Sequence, residues 1–281
     1  MLKYTILPSH LHAFANSANF IIKNRYGLSD GIVEKAILPD IPLRPTLHWK
    51  TKTHYIVCEV AERPFPVSIK HQFADLVATE QPIRIIVAYP KDNRLSLNDY
   101  QSDIKQSKKF GIGYMGIDEN NNGDIEYQGV PLSLHITPID LKLFKTKLKP
   151  FVTEAYEHYM LKGDPDVGLQ KIGQLTENII YNIAEQAKKK GVFTYSGFNP
   201  PAYIKQSLLI DKMIDENVLD IPILGRCRDF ANDRNAVSHK PKSRKQAVEI
   251  ESKLKENFII GIRILKDLPE KIKEKGYILK P

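Results

Sequence analysis

The spacing of apolar residues changes character partway along the chain. Between residues 55 and 117, short apolar runs rich in β-branched residues alternate with segments whose apolar residues recur every three or four positions. The runs predict buried strands and the segments predict helices. In chain order these are strand Tyr55–Ala61, helix Ser68–Gln81, strand Ile83–Tyr89, helix Leu97–Phe110 and strand Ile112–Ile117. This order predicts a sheet with helices packed on it.

The residues around this core are less regular. Helical patterns cover Ala13–Tyr26 and, more briefly, Ser29–Glu34, and a further strand is predicted at Asp124–Tyr127. The stretch between the last two strands has the oxygen-bearing residues and the glycine of a calcium-binding loop. Its twelfth position is Gly129, however, where a bidentate glutamate is needed. An Asn/Gly-rich hairpin turn is therefore the preferred interpretation.

From residue 141 onwards the pattern is helical. A connecting helix is predicted at Phe151–Lys162, followed by amphipathic helices at Asp166–Lys190, Ala202–Leu219, Pro222–Ser238 and Arg244–Lys275. The last four, with their connections, predict a helical bundle. The expected fold class is α+β, with an α/β sheet domain at residues 1–140 and an all-α bundle at residues 141–281.

Composition fits a water-soluble protein. Apolar residues make up 42% and charged residues 26% of the 281 residues, as in ordinary globular domains. No apolar run approaches the length that spans a bilayer, and the N-terminus lacks the layout of a secretory signal. Cys58 and Cys227 lie in separate predicted domains within apolar patterns, so we expect buried free thiols and a cytoplasmic protein.

The positive charge is concentrated in the helical half. Residues 140–281 hold 26 Lys and Arg against 19 Asp and Glu, whereas the remaining residues hold 15 against 14. A basic excess in one half favours a polyanionic partner there. The alternative is that lysines simply solvate the surfaces of the helices.

The candidate chemistry lies at the end of the predicted helix Pro222–Ser238. The sequence from Arg234 to His239 reads R-N-x-x-x-H, and Arg234 falls on the same helical face as the apolar Phe230 and Val237. An arginine on such a face is costly unless something pairs with it. Pro241 indicates that the helix ends near His239, which brings an imidazole and a guanidinium together beside a basic run.

This stretch resembles the R-x4–6-H motif of the HEPN superfamily, with Asn235 as the polar residue that often follows the arginine. The resemblance covers roughly residues 150–275 and implies a metal-independent endoribonuclease without a cofactor. Arg234, His239 and Asn235 are then the catalytic candidates, in a cleft shared by two chains of a homodimer. The residues expected to hold RNA phosphates are Arg228, Lys240, Lys242, Arg244 and Lys245.

Such ribonucleases often act as toxins or in defence against phage, so an antitoxin or regulatory partner at the N-terminal domain is also implied. The first alternative is a non-catalytic HEPN scaffold that binds nucleotides or RNA. In that case Arg234 pairs with Asp233, Asp229 or Glu177 and His239 caps a helix.

The second alternative is a metal-dependent DNA nuclease in the N-terminal half. This half resembles a degenerate PD-(D/E)xK restriction-endonuclease-like domain in the order of its strands and in the position of Glu59. Ala61, however, stands where that motif has lysine, and Pro45-Thr46 or the more distant Pro39-Asp40 stands for its "PD". The pair His10 and His12 has the spacing of metal ligands on a strand, but no further ligand completes a site nearby.

Overall fold

The computed structural model describes residues 2–39, 43–91, 97–194, 205–236 and 241–281, without the side chains of Leu97 and residues 234–236. It is a mixed α+β protein, as expected. The chain divides into two compact units. The first comprises residues 1–137, 160–164 and 240–252, and the second comprises residues 138–159, 165–239 and 253–281.

The first unit is built on a mixed sheet. Six strands of the described part pair in sequence order: β1 Ile32–Val33, β2 Leu47–Lys50, β3 Tyr55–Val60, β4 Ile83–Pro90, β5 Gly113–Ile117 and β6 Gly123–Tyr127. The three central strands β3, β4 and β5 are parallel, whereas β1, β2 and β6 join by antiparallel pairing. Parallel neighbours need crossover connections, which helices α2 (Val67–Ala78) and α3 (Leu97–Lys109) provide.

Helices cover both faces of this sheet. Helix α1 (His12–Tyr26) buries Ala15, Ala18 and Ile22 against a cluster that includes Ile56 and Cys58 of β3. On the opposite face, α2 packs Ile69, Phe73 and Leu76 against a cluster that includes Val57, Ile85 and Val87. Because both faces are buried, the central strands read as continuous apolar runs.

Two sequence predictions in this unit need correction. The short helix predicted at Ser29–Glu34 is wrong: Ile32–Val33 is a strand, and Glu34 has a φ of 49°, which a right-handed helix does not accommodate. The cause is tertiary, because the Glu34 carboxylate accepts backbone N–H groups from Thr5, Ile6 and Leu7 at 2.7–2.8 Å. Strand β2 was not predicted, since four residues are too few to establish a period.

Other predictions in this unit are confirmed. The 118–124 stretch is the turn of the β5–β6 hairpin, where Asp118 accepts the backbone N–H of Asn122 through its side chain at 2.7 Å. Cys58 and Cys227 are both buried free thiols. Burial raises the pKa of Cys227 to about 12.

The second unit is helical. Its elements are α4 Lys149–Tyr156, α5 Pro165–Lys189, α6 Gln206–Asp215, α7 Ile221–Ala236 and most of α8 Arg244–Glu274. The predicted helix Phe151–Lys162 begins two residues earlier and becomes π-helical at Glu157–Leu161. The amphipathic helix predicted at Asp166–Lys190 is confirmed, because one stripe of apolar residues along α5 is buried: Leu169, Ile172, Leu175, Ile179 and Ile183.

Helix α8 belongs to both units. Its residues 244–252 lie in the sheet unit and residues 253–274 in the helical unit. No helix in the described part of the chain is long and apolar enough to cross a membrane.

Candidate functional site

Helix α7 carries the first part of the R-N-x-x-x-H sequence. Its apolar face packs in the core, because Ile223, Cys227 and Phe230 are all at most 2% exposed. Arg234 and Asn235 lie in the last turn of the helix, which ends at Ala236. Their side chains, and residues 237–240 with Val237, His239 and Lys240, lie outside the described residues. The expected pairing of Arg234 therefore stays a prediction.

The arginines six and eight residues before Arg234 are bound to carboxylates of neighbouring helices. Both terminal nitrogens of Arg226 donate to Asp267 of α8 at 2.9 Å. Arg228 donates to Asp211 of α6 at 3.3 Å and to Asp229 at 3.4 Å. Hydrogen bonds with Asp211 and then Asp229 raise the pKa of Arg228. A phosphate would have to compete with two carboxylates for this candidate RNA-binding residue.

The N-terminus of α8 follows the motif and is well capped. Ser243 Oγ accepts the backbone N–H of Gln246 at 3.2 Å, and Gln246 Oε1 accepts that of Lys242 at 2.8 Å. The first contact satisfies an amide that the first helical turn leaves unpaired, and the second ties the residue before Ser243 to the helix. It fixes the start of α8 near Arg244, while the side chains of Lys242 and Lys245 face solvent.

Arg244 has a structural position in the sheet unit. Its Nη1 donates to the backbone oxygen of Thr51 at 2.6 Å, and its guanidinium lies 5.1 Å from the centre of the Tyr55 ring. A cation over an aromatic face is stabilising. Arg244 thus anchors the first turn of α8 to the residues just before β3, so its main contacts are with protein.

A second anchor, which the sequence did not indicate, lies two turns further along α8. The buried carboxylate of Glu251 bonds to His54 Nε2 at 2.5 Å and also accepts a hydrogen bond from the Ser133 hydroxyl. The His54 ring also contacts the Thr53 hydroxyl at 2.9 Å. Because 197 positions separate His54 from Glu251, only the fold brings this Ser–Glu–His cluster together.

Glu59, the candidate nuclease residue of the first unit, is occupied by contacts with other residues of the protein. Glu59 Oε2 accepts the backbone N–H of Thr46 at 3.0 Å and its hydroxyl at 3.3 Å. Burial raises the pKa of Glu59, although the contacts with Thr46 act in the opposite direction. The two positions of the nuclease-like motif, Thr46 and Glu59, are therefore in contact. However, one is a threonine and the other is a carboxyl group whose charged form is disfavoured. Asp40 lies outside the described residues.

Metal ligation finds no support in the described part of the chain. There, no group of three His, Cys, Asp or Glu side chains is arranged to hold a metal ion. His10 Nε2 lies 2.9 Å from Glu62, and His12 Nε2 lies 2.8 Å from the backbone oxygen of Leu7. The two histidines thus have different protein partners.

The fold is thus that of a mixed α+β protein with a sheet unit and a helical unit. No protein-family model, curated protein or solved structure matches this chain. Its own residues are therefore the basis for a proposal about function.

Proposed function

We propose that this protein is a metal-independent endoribonuclease of the HEPN type that acts as a toxin or in phage defence. The observation that carries the proposal is the position of Arg234 and Asn235 in the last turn of α7, with His239 five positions after Arg234 in the sequence. Helix α7 is the third of the four helices α5 to α8, and the long α8 follows the motif. This is the order that the resemblance requires.

The chemistry needs these residue types. RNA cleavage without a metal removes a proton from the ribose 2′-OH, stabilises a doubly charged phosphorane and protonates the leaving 5′-oxygen. Histidine suits the proton transfers because its pKa lies near neutrality. Arginine suits the phosphorane because its planar fork donates two hydrogen bonds to phosphate oxygens.

A single histidine does not easily act as both base and acid. Two chains that meet about a two-fold axis bring two copies of Arg234 and His239 into one cleft. We therefore include a homodimer in the proposal. Asn235 has the role of a polar partner beside the arginine.

The structure changes which basic residues we assign to RNA. Lys242 and Lys245 face solvent and, with Lys240, are the candidates for flanking phosphates. Arg244 and Arg228 are no longer assigned to RNA in this proposal, because both already donate hydrogen bonds to protein oxygens. They position the helices on either side of the motif.

The sheet unit acts by binding in this proposal. The contact of Glu59 with Thr46, the alanine at position 61 and the absence of a described three-ligand cluster all weigh against a metal-dependent DNA nuclease there. Regulation through the sheet unit is supported by α8, whose first residues contact Thr51, His54 and Ser133 directly after the motif.

The test is the chemistry of the products. We expect purified protein to cut single-stranded RNA in the presence of EDTA and to leave 2′,3′-cyclic phosphate ends. Binding of RNA without cleavage would favour the scaffold alternative. Cleavage of DNA that requires Mg²⁺ and is lost in Glu59→Gln would favour the nuclease alternative.

A further inference from the structure

The helical unit contains a cleft that the proposed ribonuclease does not use. Residues 145–147 and the C-terminal segment 269–279 line an open cleft of about 430 Å³. We call it the basic cleft. It is lined by Lys145, Lys147 and Lys273, which we call the rim lysines, and by apolar residues that we call its floor, among them Ile272, Tyr277 and Ile278.

The three rim lysines are available to a ligand. All are exposed, and none of their ammonium groups makes an ion pair with the residues that the structure describes. Glu274, the acidic neighbour of Lys273, is held by Lys271 at 2.9 Å. The segment 141–149 contributes four lysines and no acidic residue. The described residues that line the cleft thus include three lysines and no acidic residue, which favours an anionic ligand.

The floor is preformed and apolar. Ile278 is 61% exposed, yet its backbone is fixed, because its N–H and carbonyl both bond to the side-chain amide of Gln186 at 2.8 Å. An exposed isoleucine on a fixed backbone offers apolar contact without the entropic cost of ordering the segment.

The floor does not offer a platform for nucleobases. Tyr277 is only 8% exposed, and the ammonium of Lys190 lies 4.6 Å from the centre of its ring. Sequence-tolerant binding of single-stranded nucleic acid relies on stacking against free aromatic faces. Aliphatic side chains fit this floor better than bases do.

The basic cleft is also far from the motif. Lys275, within the segment that forms the cleft, bonds to the backbone oxygen of Asn217 at 3.3 Å, four residues before α7 begins. Helix α7 has 16 residues, and at 1.5 Å per residue it is about 24 Å long. The C-terminal segment of the cleft is thus tied to the residues just before α7, whereas Arg234 lies in the last turn of that helix.

We propose that the basic cleft binds a short extended segment of a partner protein in which acidic residues flank an aliphatic side chain. Carboxylates of such a segment pair with the rim lysines while the aliphatic side chain packs on the exposed Ile278. The volume lies within the range of known ligand pockets. This inference goes beyond the proposed ribonuclease and does not depend on it.

The experiment measures binding of fluorescent peptides to the full chain by anisotropy. One peptide set places Glu and Asp around a Leu or Ile, a second replaces the acids by Lys, and a single-stranded RNA serves as the third probe. The protein variants are Lys145→Glu/Lys147→Glu/Lys273→Glu, Ile278→Ser and, as a control of equal charge change, Lys70→Glu/Lys105→Glu/Lys109→Glu on the exposed surface of the sheet unit.

We expect the acidic peptides to bind and the lysine peptides not to bind. The triple change in the cleft weakens the acidic peptides by at least about tenfold, whereas the control triple changes their affinity by less than about twofold. Ile278→Ser weakens these peptides without changing RNA binding.

Failure of every acidic peptide to bind, or equal losses in the two triple variants, would overturn the proposal. RNA binding that disappears only in the cleft triple would instead assign the cleft to nucleic acid. Since no result requires RNA cleavage, the ribonuclease proposal can fail or stand separately.

Discussion

Glu59 is the fifth residue of strand β3, and its carboxyl group accepts the backbone N–H of Thr46 at 3.0 Å. As a carboxylate at the end of a sheet strand it resembles a metal ligand, but burial and its Thr46 partner make it a structural acid. Because burial raises its pKa in the folded state, folding favours the protonated form. The stabilising contribution is therefore present below the usual glutamate pKa and is lost as the pH rises through the raised value.

We accordingly predict that Glu59→Gln removes the part of the decrease in folding stability with rising pH that ionisation of Glu59 causes. The amide oxygen still accepts the Thr46 N–H, so the variant stays within about 1 kcal/mol of wild type at acid pH. It gains stability relative to wild type as the pH rises, and RNA cleavage is unchanged. Urea unfolding across a pH series measures this, with the exposed Glu249→Gln as control; parallel pH profiles for Glu59→Gln and wild type would refute it.

At the scale of elements, two glycines of the helical unit provide a matched pair. A Cβ on Gly168 of α5 would lie 2.7 Å from Tyr159 Cβ and 2.8 Å from the Ala155 carbonyl oxygen, whereas a Cβ on Gly225 of α7 has nothing within 4 Å. Gly168 thus permits the close packing of α5 on the preceding helical segment. Gly225 only lowers helix propensity.

We predict opposite signs for the same substitution. Gly168→Ala destabilises the protein by about 1–3 kcal/mol through overpacking, and Gly225→Ala stabilises it by up to about 1 kcal/mol. Chemical denaturation of both variants beside wild type measures the difference. Equal effects of the two changes would mean that the contact at Gly168 is not tight.

Periodicity predicted most elements, for a physical reason. Long helices such as α5 and buried strands such as β3 and β4 repeat their pattern often enough to be recognised. Strands β1 and β2 do not, and the left-handed Glu34 is held by residues almost thirty positions away. The anchors at Arg244 and Glu251 were missed for the same reason, since their partners are distant in sequence.

At the scale of the whole molecule, the proposed site needs two chains. We predict a particle of twice the 32.1 kDa chain mass in light scattering. A mixing experiment tests the shared site. When equal amounts of wild-type and His239→Ala chains exchange partners at random, about a quarter of the dimers contain two wild-type chains. If both histidines are needed, activity falls to about a quarter; retention of about half would indicate that each chain cuts alone.

The most direct measurement is the rate of RNA cleavage by His239→Ala in EDTA. Loss of the proton-transfer group lowers the rate by at least about a hundredfold, while the fold, monitored by circular dichroism, is unchanged. His71→Ala, an exposed histidine on α2, is the matched control and stays within about twofold of wild type. A His239→Ala protein that cuts RNA at the wild-type rate would contradict the proposed function.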